Sequence, residues 1–99
     1  MTPYPILISS DAEADIENAV EWYRDIGSGL DDEFIRAVEA CLESIRRNPS
    51  IYPTVYKNVR RALLRKFPYG IFYFVFDDTV VVLACFHMKQ DPKKWKSRV

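Results

Sequence analysis

The apolar positions follow two periods, and the change falls at Pro49. From Ala12 to Ile45 they recur every three or four residues, the spacing that puts one face of a helix in a core. From Val59 to Phe86 they alternate or run together, as strands do. Ahead of both lies a short extended stretch, Tyr4 to Ser9, with Pro3 and Pro5 holding its start out of a helix. Ser10-Asp11-Ala12-Glu13 has the spacing of a capping box, which predicts a first helix over about residues 11–26. Ala12, Ile16, Ala19, Val20 and Tyr23 form its buried stripe, Glu13, Glu17 and Glu21 its opposite face, and Gly27-Ser28-Gly29 ends it.

A second helix begins near Leu30, where Asp31, Asp32 and Glu33 complement the positive end of the helix dipole. Phe34, Val38, Cys41, Leu42 and Ile45 form its core stripe, and Asn48-Pro49 stops it after Arg46 and Arg47. The two helices read as an antiparallel hairpin. Ile51 to Asn58 is a connector holding proline and tyrosine. Three strands follow, Val59 to Phe67, Gly70 to Phe76 and Thr79 to His87, joined by a type I turn at Phe67-Pro68-Tyr69-Gly70 and a tight turn at Asp77-Asp78. The apolar character of the last two places them centrally, covered by the helices on one face and partly covered on the other. Asp91-Pro92-Lys93-Lys94-Trp95 reads as a capped single turn of helix. The predicted fold is a single α+β domain over residues 1–99, ordered β-α-α-β-β-β, an antiparallel meander with an N-terminal helix hairpin packed on one face.

Charge changes the picture. The 99 residues carry 14 Lys and Arg against 14 Asp and Glu, a formal charge of zero. Yet residues 1–50 hold eleven acids and four bases, a balance of −7, and residues 51–99 hold three acids and ten bases, a balance of +7. Neutrality is the sum of two opposed halves, which points to a basic working surface on the meander. The N-terminus has neither the basic nor the apolar stretch of a secretory signal, and no apolar run is long enough to span a bilayer, so a cytoplasmic protein with no membrane contact is expected. Cys41 and Cys85 stand among apolar neighbours, which suits two buried reduced thiols better than a disulfide or metal pair.

No local catalytic motif is present: no CxxC, HExxH, phosphate-binding glycine loop or GxSxG. Candidate chemistry comes from strand neighbours. Arg60, Arg61, Arg65 and Lys66 fall on the first meander strand, Tyr69 and Tyr73 on or beside the second, His87 and Lys89 at the end of the third. Bases interleaved with tyrosines supply positive charge for phosphates and ring faces for unpaired bases. Alternation places Arg61 and Arg65 on one face, with Leu63 between them, and Arg60 and Lys66 on the other, while Ala62 and Leu64 point to the helices. For strand cleavage through a ribose 2′-hydroxyl, His87 or Lys89 would exchange protons and Arg61 or Arg65 would hold the phosphorane charge. Each residue also has a plain structural role: a strand-end cap for His87, an aggregation-resistant edge for the arginines, a core rim for the tyrosines. Trp22, Tyr23, Tyr52, Tyr56 and Trp95 either fasten the connector and the final turn or line a protein-binding groove.

The segments "ESIRRNPSIYP", "VRRALLRKFPYGIFYFV" and "VVVLACFHMKQDPKKW", with the helices "DAEADIENAVEWY" and "GSGLDDEFIRAVEACLESI", resemble the RelE/ParE toxin superfamily of bacterial type II toxin–antitoxin modules, in its ParE-like plasmid-stabilisation branch. The resemblance covers nearly the whole chain. It implies a small cytoplasmic, growth-inhibiting toxin without metal or cofactor, silenced by an antitoxin whose helix-containing tail wraps it and through which alone it reaches operator DNA. ParE-like members poison DNA gyrase, whereas RelE-like members cleave messenger RNA on the ribosome without a metal. In the nuclease pattern an arginine follows the tyrosine that opens the central strand; here that tyrosine matches Tyr69, and the next residue is Gly70. Arg61 matches a basic position of the nuclease's first meander strand, and the second such position matches Leu63. His87 and Lys89 stand near where nucleases carry His, Tyr or Arg, and Arg65 is the remaining substitute. The resemblance therefore implies gyrase inhibition first, ribosome-dependent cleavage by Arg61, Arg65, His87 and Lys89 second, and a non-toxic co-repressor module third.

Overall fold

The computed structural model describes residues 2–99. In chain order the elements are β1 (Ile6–Ile8), α1 (Ser10–Ile26), α2 (Leu30–Arg47), a single 3-10 turn (Pro49–Ile51), β2 (Thr54–Tyr56), β3 (Val59–Leu63), β4 (Tyr69–Phe76), β5 (Thr79–His87) and α3 (Pro92–Lys96). Ser9, not Ser10, caps α1, its hydroxyl accepting from Ala12 N–H at 3.1 Å. Two serines in succession satisfy the capping spacing, and the one still in extended backbone takes the role. Gly27, Ser28 and Gly29 all have left-handed backbone, with φ of 92°, 62° and 73°. Three such residues in a row explain why glycine flanks the helix turn.

The sheet is mixed rather than a pure meander. Among the described residues its order is β1-β5-β4-β3-β2. β3, β4 and β5 form the expected antiparallel core, with Arg61 opposite Phe72 and Tyr69 opposite His87. Asp77 and Asp78, at φ 51° and 58°, make the primed turn that suits a two-residue hairpin. Two further strands extend the core. β1 joins β5 in parallel, Ile6 opposite Val80 and Ile8 opposite Val82. β2, inside the connector, pairs antiparallel with β3, Thr54 opposite Arg60.

β3 ends at Leu63 and not at Phe67. The chain turns across residues 65–68, with Lys66 at φ 68° and Leu64 N–H donating to Tyr69 O at 2.9 Å. Arg65 and Lys66 are therefore turn residues, and strand alternation does not govern them.

The helix pair covers one face of the sheet. Phe34, Val38, Cys41 and Ile45 of α2 and Ala12, Ala19 and Val20 of α1 pack on Ala62, Ile71, Tyr73, Val80, Val82 and Cys85. Tyr23, Phe34, Phe67 and Tyr69 close one end, with Tyr23 to Phe67 at 4.9 Å and Phe34 to Tyr69 at 5.0 Å between ring centroids. The second face is covered by α3, where Trp95 stacks on Phe72 at 4.4 Å and joins Val59, Leu83, Ala84 and Phe86. A register shift opposite Phe72 and Tyr73 turns Leu83 and Ala84 both to this face.

Where β1 stops, the Ser9 backbone and three side chains complete the edge of β5. Ser9 N–H donates to Val82 O at 3.1 Å, Arg98 Nη1 to Leu83 O at 2.9 Å, Cys85 N–H to Asp15 Oδ2 at 3.0 Å and His87 N–H to Gln90 Oε1 at 2.7 Å. Arg98 also pairs with Asp15 at 2.7 Å, tying the chain's last turn to its first helix. Both cysteines are free and buried, and burial pushes Cys41 up to about 11 and Cys85 to about 12. No helix among the described residues is long and apolar enough to cross a membrane.

Candidate functional site

The candidate residues divide into three sets. Arg60 and Tyr73 belong to the scaffold. Arg60 Nη1 donates to the carbonyls of Ser50 and Tyr52, pinning the connector to β3. Tyr73 is fully buried, and its hydroxyl donates to Pro49 O at 2.6 Å. Desolvation raises its phenol well above the ordinary value, and Arg60 nearby only partly opposes this. The Tyr73 side chain is not available to a target, which corrects the expectation drawn from strand position, whereas Arg60 is half-buried and engaged by the connector. A tyrosine facing the helix pair must bury its ring, and its hydroxyl then needs a partner.

Arg65 and Lys66 form the second set, on the helix side. Arg65 lines two cavities against α2, one of about 390 Å³ with Ala40, Ser44, Arg47 and Tyr52, another of about 290 Å³ with Glu33, Arg36 and Phe67. Arg65 does not join Arg61 on one face as the alternation predicts, because β3 has ended two residues earlier.

Arg61, Tyr69, His87 and Lys89 form the third set, at the end of the sheet where β3, β4 and β5 lie side by side. Arg61 and His87 line one cavity of about 150 Å³ with Met88, Gln90, Pro92 and Trp95. His87 also stands edge-on to Tyr69 at 5.2 Å, and both face a second cavity of about 330 Å³ closed by Asp15, Asn18 and Trp22 of α1. His87 Nδ1 accepts from Lys89 N–H at 3.0 Å, so a neutral His87 carries its proton on Nε2. Burial raises the Tyr69 phenol, with Tyr23 and Cys85 adding to the effect. Lys89 is exposed and joins through its backbone.

Gly70 explains how Arg61 reaches this corner. A Cβ at position 70 would lie 3.1 Å from Arg61 Cγ, 3.3 Å from Arg61 Cδ and 2.8 Å from Met88 Cε. The arginine's methylene stem thus crosses β4 in the space a side chain would fill. Arg61 Nε is buried without a hydrogen-bond partner, the one such side-chain atom among the described residues. Arg24, Arg46, Arg60 and Arg98 are all held by acids or carbonyls, whereas Arg61 is a half-buried arginine with neither among the described residues. Sequence reasoning missed Asp15, Asn18 and Gln90 beside this corner. Trp22, 63% exposed, gave the one usable signal, an aromatic lying off the apolar stripe of α1.

The chain thus presents a five-strand sheet carrying an N-terminal helix pair, with an unpaired arginine and a histidine at the end of its central strands. The sequence matches the family model of the ParE toxin of the type II toxin–antitoxin system parDE over residues 6–92, and the chain belongs to that family. Two solved structures share the fold. The chromosomal ParDE toxin–antitoxin system from P. aeruginosa has a TM-score of 0.65 at 16% identity, covering 87% of this chain and 97% of that one. The toxin–antitoxin complex RelBE2 from Mycobacterium tuberculosis has a TM-score of 0.60 at 20% identity, covering 86% and 98%. No curated protein sequence matches the chain.

Proposed function

We propose that this toxin is held inactive by a cognate antitoxin and, once released, arrests growth by binding DNA gyrase rather than by cutting RNA. The observation that carries the choice is Gly70. Cleavage through a 2′-hydroxyl needs a base, an acid and a cation around one phosphate. The position after Tyr69 offers no side chain, Arg61 occupies its space, and Arg65 lies against α2 instead. Of the four residues expected to cut, Arg61 and His87 share a cavity, and Lys89 adds a backbone contact. A binding surface needs less: the unpaired Arg61, the ring of His87 and the exposed Met88 present charge and apolar area together.

The shared cavity of Arg61 and His87 favours one second reading, ribosome-dependent cleavage of messenger RNA. Purified toxin added to gyrase and relaxed plasmid separates the two. Blocked supercoiling, relieved by Arg61→Ala, is the expected result. Normal supercoiling, together with messenger cut only when ribosomes are present, would overturn the gyrase reading.

A further inference from the structure

We propose that the face formed by α3 and the turn after β2 holds the phosphate backbone of duplex DNA directly. The choice of DNA rests on the gyrase reading above; the basic face itself does not depend on it. The chain has six lysines, and five of them, Lys57, Lys89, Lys93, Lys94 and Lys96, lie on α3, just before it, or in the turn beside it. Lys57, Lys89, Lys93 and Lys94 are exposed and Lys96 is half-buried. None of the five has an ion pair among the described residues. Asp91 is the one acid near α3, and its carboxylate accepts from Lys93 N–H at 3.0 Å, so it serves as the cap of the helix.

Two of these cations are fixed against one ring. Lys57 Nζ lies 5.2 Å and Lys96 Nζ 5.0 Å from the centroid of Tyr56, which stands edge-on to Trp95 at 6.0 Å. The two ammonium groups are therefore no farther apart than those two distances together. A ring face offsets only part of that repulsion, and a polyanion laid across both offsets the rest. The face also adjoins the corner of Arg61 and His87, since Pro92 and Trp95 line the same cavity. A toxin seated on its target by that corner turns these lysines toward whatever the target holds beside it. On the helix side of the sheet Glu13, Glu17 and Glu21 are exposed along α1 and repel a polyanion, so one orientation is selected.

A duplex fits better than a single strand, because no ring is free for bases to stack on. Trp95 is 5% exposed and stacked on Phe72, and Tyr56 is half-buried beside two lysines. An acidic protein fits less well, because lysine heads are mobile point charges with no pocket for an anchor. Contact of this kind reads no sequence and is separate from operator recognition.

The test titrates the full-length toxin against a labelled DNA duplex of about 20 base pairs and arbitrary sequence, with anisotropy as the readout. Neutralising about four phosphates should weaken binding on the order of a hundredfold between about 50 and 200 mM salt. Lys93→Glu with Lys94→Glu should weaken it about tenfold or more at the lower salt and flatten the salt dependence, and the milder pair Lys93→Gln with Lys94→Gln should move it the same way. Arg36→Glu with Arg47→Glu, the same change of net charge placed on α2, should not. No binding at the lower salt, equal loss in the α2 pair, tighter binding to the single strand, or displacement by polyglutamate at equal charge overturns the proposal.

A supercoiling assay separates the two levels. The Lys93→Glu, Lys94→Glu toxin should need about fivefold more protein than wild type to block gyrase, the gap closing as salt rises. Equal inhibition by both sinks the DNA contact and leaves the gyrase reading standing. Failure of wild type to inhibit sinks that reading, and with it the choice of DNA.

Discussion

The sheet face under the helix pair and the face under α3 are sealed in different ways. On the first, two long helices lay seven buried side chains over the strands, and the polar group of Tyr73 is met inside the core. On the second, one turn of helix is held by a single tryptophan and by Arg98 gripping Asp15. Neighbouring arginines show the consequence. Arg60 faces the helix side and its guanidinium is used in full view of two carbonyls; Arg61 faces the α3 side and nothing answers it. A chain that encloses one face completely can leave unmatched charge on the other.

The largest break in that contrast should come from Phe34→Ala, which empties the centre of the helix-side core. A loss of about 3–5 kcal/mol in denaturant unfolding is expected. Arg98→Ala should cost about 1.5–3 kcal/mol, because charge-assisted bonds to Asp15 and Leu83 O disappear. Hydrogen exchange at the Cys85 amide and in α3 should rise while α2 stays protected. Arg60→Ala should cost about 1–2 kcal/mol for its bonds to the connector. Arg61→Ala should leave unfolding within about 0.5 kcal/mol of wild type. A loss as large as that of Arg60→Ala would show that Arg61 serves the fold.

A further contrast appears in alkali. Unfolded thiols lose their protons near the ordinary value of 9.0, whereas folded Cys41 and Cys85 keep theirs to about 11 and 12. Stability is untouched below about pH 9 and falls as pH rises through that window, since the unfolded chain alone gains by ionising. Replacing both cysteines by Ala should flatten this slope, measured by denaturation at several alkaline pH values.

Much of this was legible in the sequence because the signals were periodic. Phe34, Val38, Cys41 and Ile45 marked the buried side of α2, and the unbroken runs of β4 and β5 marked the centre of the sheet. Pairing across long separations left no such mark. Nothing near Ile6 announces Val80 as its neighbour, nothing near Asp15 announces Arg98, and β2 lay hidden in a segment whose prolines suggested only a connector. At the site, alternation assigned Arg60 and Arg61 to opposite faces, and that much survives. It failed at Arg65, because the strand ends at Leu63 and the chain then turns, which no periodicity encodes.

The parallel pairing of Ile6–Ile8 with Val80–Val82 sets an order of events during synthesis. The first strand leaves the ribosome with no partner and must wait for residues near the other end of the chain. The helix pair emerges early, its apolar stripes open, but the sheet that should cover them lacks the strand joining β1 to β4 until Thr79–His87 follow. Closing so long a loop is slow compared with forming a local hairpin. The corner where Arg61 meets His87 is completed only as the last tenth of the chain appears. A nascent chain therefore carries an exposed helix-pair flank before it carries that corner.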